Sequence, residues 1–316
     1  VIIQSNKLEL HYYLSEDSHS MNAFVRNACE KELLSIFKEV ITSLDLKIKI
    51  ESEAFKEGGL RETWNFLGEN SVQLMFILTI VSTLLSRIPI ENKELLALQV
   101  KNLKLDNELK TFELQKIKKE LSSNEKITEE AIDRTLEIFD NDFKITKHKS
   151  NFYKRLNSDS KITKISTSKF NNQSEPIDQE ATVERSQFKN FILHSNELPP
   201  NVDKNASIDI ISPVLKKGTF KWKGFYNGKI INFEMKDKIF NESVLSKNIE
   251  FINGTSIKCV LQQYRKLEDT GQEKILKNKV TTVFEIISSE QNTHTEQGKK
   301  YKRLEEQKNN QLKFDL

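Results

Sequence analysis

The sequence predicts an α+β protein built in several parts, on three observations. Residues 1–66 alternate strand-like and helix-like patterns, residues 70–86 carry no charge, and from Ala206 the hydrophobic period changes from helical to strand-like. We therefore expect a small α+β unit (1–66), then an apolar helix leading into an amphipathic helical neck (67–122). A basic helical region with a linker (123–198), a small all-β domain of barrel or sandwich class (199–290) and a polar tail (291–316) follow.

The elements are justified in order. Lys7 to Leu14 is aromatic and β-prone. Ser15 to Ser20 supplies turn and capping residues, and Met21 to Leu44 places Phe24, Leu33, Phe37, Val40 and Ile41 at helical spacing. Asp45 ends that helix, and Leu46 to Glu51 alternates as a half-buried strand does. Gly58-Gly59 breaks the pattern before the apolar stretch Val72 to Leu85, bracketed by Glu69 and Arg87 and closed by Pro89. Apolar on all sides, it reads as a surrounded helix. Residues 91–121 form a charged helix with a leucine stripe, suited to a short coiled coil and to a hairpin with the apolar helix.

Two further helices are expected, Thr128 to Phe139 with Thr128 as cap and Phe143 to Leu156. Lys161 to Ser166 alternates, residues 171–186 read as a polar loop, Phe188 to Leu193 is an apolar patch able to dock back, and Pro199-Pro200 marks a boundary. Strands are expected over Ser207–Val214, Thr219–Tyr226, Lys229–Met235, Thr255–Arg265 and Lys279–Ile287, with a short helix over Phe240–Leu245. Asn227-Gly228 is a hairpin signal, because both turn positions need positive φ. Asn253-Gly254 is a second turn.

The 316 residues are 37% hydrophobic and 30% charged, too apolar for a disordered polymer and too polar for a polytopic membrane protein. Cys29 and Cys259 lie far apart, which predicts two reduced, packed thiols, and the polar turn by Asn6 gives no secretory signal, so a cytoplasmic setting is expected. The phosphate-binding, dinucleotide, nucleophile-elbow and zinc-protease motifs are all missing, and the five histidines have no ligand spacing. The expectation is a non-enzymatic protein with no cofactor and no metal. His11, His19 and Cys29 could form a thiol–imidazole dyad, although Cys29 on a helix core and His19 in a capping turn fit better.

Charge clusters point to binding. Phe143 to Ser174 holds eight Lys/Arg against Asp159, a local net of +7, and Pro213 to Lys238 holds seven Lys against two acids, a net of +5. Lys149, Lys154, Arg155, Lys221 and Lys223 are the candidate phosphate contacts, with Tyr153 and Trp222 as candidate stacking rings for nucleic acid. The opposing reading of the strand run puts Phe220 and Trp222 in a core and Lys221 and Lys223 in water. Leu74, Phe76, Leu78 and Val81 are the candidate oligomerisation residues, buried between subunits or within each one.

The leading expectation is a self-associating binding protein, a homo-oligomer contacting nucleic acid or another phosphate-bearing ligand, and able to take a partner protein. Two alternatives stand beside it. One is a membrane-active effector whose helix 70–86 inserts on activation. The other is a metal-dependent nuclease using Asp209, Glu234 and Lys236, an acidic strand followed by E-x-K on another. The layout resembles bacterial proteins of mobile or defence loci, which implies a role in antiviral defence.

Overall fold

The computed structural model describes residues 4–15, 18, 20–53, 60–87, 107–122, 128–246, 249–288, 292–301 and 303. The chain divides into two compact units, Val1–Glu197 with Leu267–Gln272, and Leu198–Lys266 with Glu273–Leu316. Segments expected to be separate in the N-terminal two thirds share one hydrophobic core.

The first unit carries a five-stranded antiparallel sheet in the order β2-β3-β1-β4-β5. Its central strand β1 (Gln4–Leu14) turns Leu8, Leu10 and Tyr12 into the core. Helix α1 (Ala23–Ser43) starts two residues later than expected, because the Asn22 side chain caps it by accepting the Phe24 and Val25 N–H groups. Its Leu33, Ile36, Phe37 and Val40 are buried, and Asp45 breaks the chain direction at a φ of 49°. Strand β2 (Lys49–Ser52) follows. Strand β3 (Leu60–Gly68) was not expected: Glu62, Trp64 and Phe66 alternate inward, but a carboxylate at the first inward position hides the period. Glu62 is tolerated inside because Tyr12 Oη and Arg26 Nε both donate to it, at 3.0 and 2.7 Å.

Helix α2 (Ser71–Ser86) is the expected apolar helix, capped by Asn70 Oδ1. It packs on the sheet and is surrounded as its composition requires. Helices α3 (Asn107–Ser122), α4 (Glu129–Asp140) and α5 (Phe143–Ser158) follow. The expected Thr128 cap is present, accepting from Ala131 N–H. Ile117 and Leu121 of α3 enter the same core; the first part of the expected coiled coil and Gly58-Gly59 lie outside the described residues. Strand β4 (Ile162–Phe170) outlasts its expected alternation, and β5 (Ala181–Glu184) forms inside the expected loop by pairing with β4. The 3₁₀ turn Arg185–Phe191 docks Phe188 and Phe191 into the core.

The second unit is a closed five-stranded barrel. Strands β6 (Glu197–Ser212), β7 (Trp222–Tyr226), β8 (Lys229–Met235), β9 (Ser256–Leu267) and β10 (Glu273–Ile287) lie in the order β10-β8-β7-β6-β9, and β9 closes onto β10. The short β11 (Asn292–His294) adds to β10. Asn227 and Gly228 take positive φ, 47° and 75°, and close the β7–β8 hairpin. Between β8 and β9, helix α6 (Lys238–Leu245) is capped by the buried Asp237, whose carboxylate also accepts Val283 N–H and the Gln297 amide. Closure leaves the two faces of every barrel strand with different fates, one packed and one outward.

Candidate nucleic-acid interface

Alternation along β7 decides what the barrel presents. Trp222 and Gly224 point inward, and Lys223 and Phe225 point outward. Trp222 is 1% exposed and packs against the rings of Phe233, Phe240 and Phe251. It is therefore a core residue and cannot stack on a ligand, which corrects the expected role. Gly224 is needed opposite β6, since a Cβ there would lie 2.4 Å from Ile208 Cγ2. Lys221 and Lys223 are exposed as expected. The aromatic ring on the same outer face as Lys223 is Phe225, which is 42% exposed, directly across from Ile230, which is 60% exposed.

The register extends this face around the wall. Lys223 pairs with Asn232 of β8, and β8 pairs in parallel with β10 through Phe233 opposite Asn278 and Glu234 opposite Lys279. Asn278 Nδ2 donates to Asn232 O at 3.1 Å, so Lys277, the next position back, falls beside Asn232. Lys277 and Lys279 both lie over the ring of Tyr264 on β9, at 4.8 and 4.4 Å from its centroid. Two carboxylates border the band: Asp209, exposed opposite Phe225, and Glu234, which is bonded to Lys236 at 2.8 Å. That hydrogen bond, helped by the fields of Lys236, Lys279 and Lys277, holds its carboxyl below the usual range. Thus Lys221, Lys223, Lys277 and Lys279 form a basic band from residues up to 58 positions apart in sequence. Sequence reasoning found the first two and missed the second pair, because only the parallel β8–β10 pairing joins them.

The basic run of the first unit has a different fate. Lys149 is 3% exposed; its ammonium donates to Arg87 O at 2.7 Å and lies 3.8 Å from Asp140. Burial pulls that ammonium down to about 8, against the opposing pull of Asp140. Tyr153 is fully buried, stacked on Phe191, with its hydroxyl donating to Leu85 O. Neither residue can contact a ligand as expected. Both instead satisfy carbonyl groups at the C-terminal end of α2, where the helix leaves them unpaired. Lys144 pairs with Glu39, Lys147 bonds to Asn196, Lys169 pairs with Asp178 and Lys164 lies over Tyr13. The +7 run is thus largely internally matched, and only Lys154 and Arg155 of the candidate set are exposed on α5.

Leu74, Phe76, Leu78 and Val81 are each 0–1% exposed within one chain, so self-association through them would require the core to open. No helix among the described residues is long and apolar enough to cross a membrane. The 16 residues of α2 span roughly 24 Å, short of the roughly 30 Å hydrocarbon layer. The three nuclease candidates do not converge. Asp209 aligns with Phe225 and hence Ile230, four residues along β8 from Glu234, or about 13 Å. Among the described residues no group of three or more His, Cys, Asp or Glu could hold a metal ion. Cys29 is buried on the helical side of the sheet, where burial pushes its thiol up, while His11 stacks on Tyr13 on the opposite side. That separation rules out pairing of Cys29 with His11; His19 lies outside the described residues. No family model, curated protein or solved structure matches the chain.

Proposed function

We propose that this chain binds nucleic acid, with the outer wall of its C-terminal barrel supplying the phosphate contacts. The observation that carries the reading is the convergence of Lys221 and Lys223, just before and on β7, with Lys277 and Lys279 of β10 onto one band. Two pairs of ammonium groups, one at β7 and one on β10 with β8 between them, gain most from an extended ligand with regularly spaced negative charge. Lys stems are long enough to follow a backbone without fixed geometry, which suits a phosphate chain more than a single small anion. Asn232 in the middle of the band adds a side-chain amide able to donate or accept at a base or sugar edge.

The test uses the full chain and a fluorescein-labelled oligonucleotide followed by anisotropy. Binding is expected at low salt, weakening as salt rises, and weakening further in a Lys223→Gln, Lys277→Gln double variant. Affinity unchanged by that double variant would remove the band as the site.

A further inference from the structure

We infer that the ligand taken by this band is a flexible single strand of nucleic acid and not a duplex, a step that rests on the reading above. Two features of the wall lead there. The first is its curvature. In a closed barrel of five strands, each step to the next strand turns the outward direction by about 70°, a fifth of a full circle. Lys223 stands on β7 and Lys277 and Lys279 stand two steps away on β10, with β8 between. A duplex behaves as a stiff rod over about 150 base pairs and can lie against only one side of so tight a curve. A single strand bends at every nucleotide and can keep its phosphates on both lysine groups.

The second feature is the apolar pair beside the lysines. Phe225 and Ile230 face each other across β7 and β8 and are 42% and 60% exposed. Phe225 lies two residues from Lys223 on the same outer face. A ligand that covers them must offer a flat apolar surface next to a phosphate. Bases in a duplex have their faces occupied by their neighbours, whereas an unpaired base can leave its stack and lie on a ring. Ile211, Ile275 and Leu276 on the neighbouring strands are also 48–49% exposed, but these side chains are interleaved with lysines, whereas the core of a stable protein–protein interface is depleted of charge.

The experiment compares four fluorescein-labelled probes on the full chain: oligo(dT), oligo(U), a duplex of equal length, and an abasic deoxyribose-phosphate strand. The wild type is expected to bind both single strands at least about 10-fold tighter than the duplex. Phe225→Ala is expected to weaken oligo(dT) and oligo(U) by roughly 5- to 100-fold and to leave the abasic strand unchanged. Phe225→Tyr keeps the ring and is expected to restore binding, which separates stacking from a general disturbance of the wall. Duplex binding as tight as oligo(dT), or equal losses for Phe225→Ala on oligo(dT) and on the abasic strand, overturns the inference and leaves the phosphate band standing. If none of the four probes binds, the inference and the proposed function both fall.

Discussion

Removing charge from the band has a calculable consequence for salt dependence. Each phosphate neutralised on a single strand releases about 0.7 of a condensed counterion, so the slope of log K against log salt is about −0.7 per contact. Lys221, Lys223, Lys277 and Lys279 together give a slope of about −2.8 if all four engage. Lys236 is left out of that count because Glu234 already holds it at 2.8 Å. Over a fourfold rise in salt, the wild type should lose about 50-fold in affinity. The Lys223→Gln, Lys277→Gln variant keeps both stems and removes two charges, so its slope should fall to about −1.4 and its loss to about 7-fold. Anisotropy titrations at several salt concentrations measure both slopes. A parallel variant, Lys154→Gln with Arg155→Gln, removes the two exposed candidates of α5 and should leave the slope unchanged. A slope near −2.8 in the first variant, or a shallower slope in the second, would refute the placement of the contacts on the barrel.

Other expectations concern stability. Trp222→Ala empties the centre of the barrel core and should cost about 3–5 kcal/mol, read as a fall in the denaturant midpoint. A cost under about 1 kcal/mol would mean that the ring is not held there. Gly224→Ala places a methyl group 2.4 Å from Ile208 Cγ2 and should cost about 1–3 kcal/mol in the same assay. Lys149 predicts a pH dependence. Its folded value of about 8 lies below its ordinary 10.5, so between these values the unfolded chain binds more protons and Lys149 makes stability rise with pH. The contribution is on the order of 3 kcal/mol, with the penalty fully present below pH 8 and relieved by about pH 10.5. The buried thiols Cys29 and Cys259, pushed up by burial from 9.0, act in the opposite direction in the upper part of that window. The wild type minus Lys149→Met difference therefore isolates the lysine, and a difference that does not change with pH would contradict the assignment.

Legibility in the sequence followed the range of the interactions. Helix α2 was readable because its uncharged window and flanking Glu69 and Arg87 are local facts. Thr128 was readable because a cap acts on the N–H groups of its own first turn. The β7–β8 turn was readable because Asn227 and Gly228 are the residues that tolerate positive φ. Strand β5 escaped, since four polar-flanked residues become a strand only when β4 lies beside them. Trp222 and Lys223 show a further limit. A period of two says that they face opposite ways but does not say which way is in; barrel closure supplies that phase.

By itself, the sequence determined the α+β class, the positions of most helices and the β character of the C-terminal part, because propensity, capping and hydrophobic period act over a few residues. Tertiary structure decided which charges are available. It brought Glu39, Asn196, Asp140 and Asp178 to the lysines of the first unit, matching half of the eight Lys and Arg residues in a run that carries a net of +7 in sequence. It also carried Lys277 and Lys279 to the far side of β8 from Lys223 through a parallel pairing of β8 and β10. A charge is read locally along the chain, but its partner is chosen by proximity in space, and only the folded chain sets that proximity.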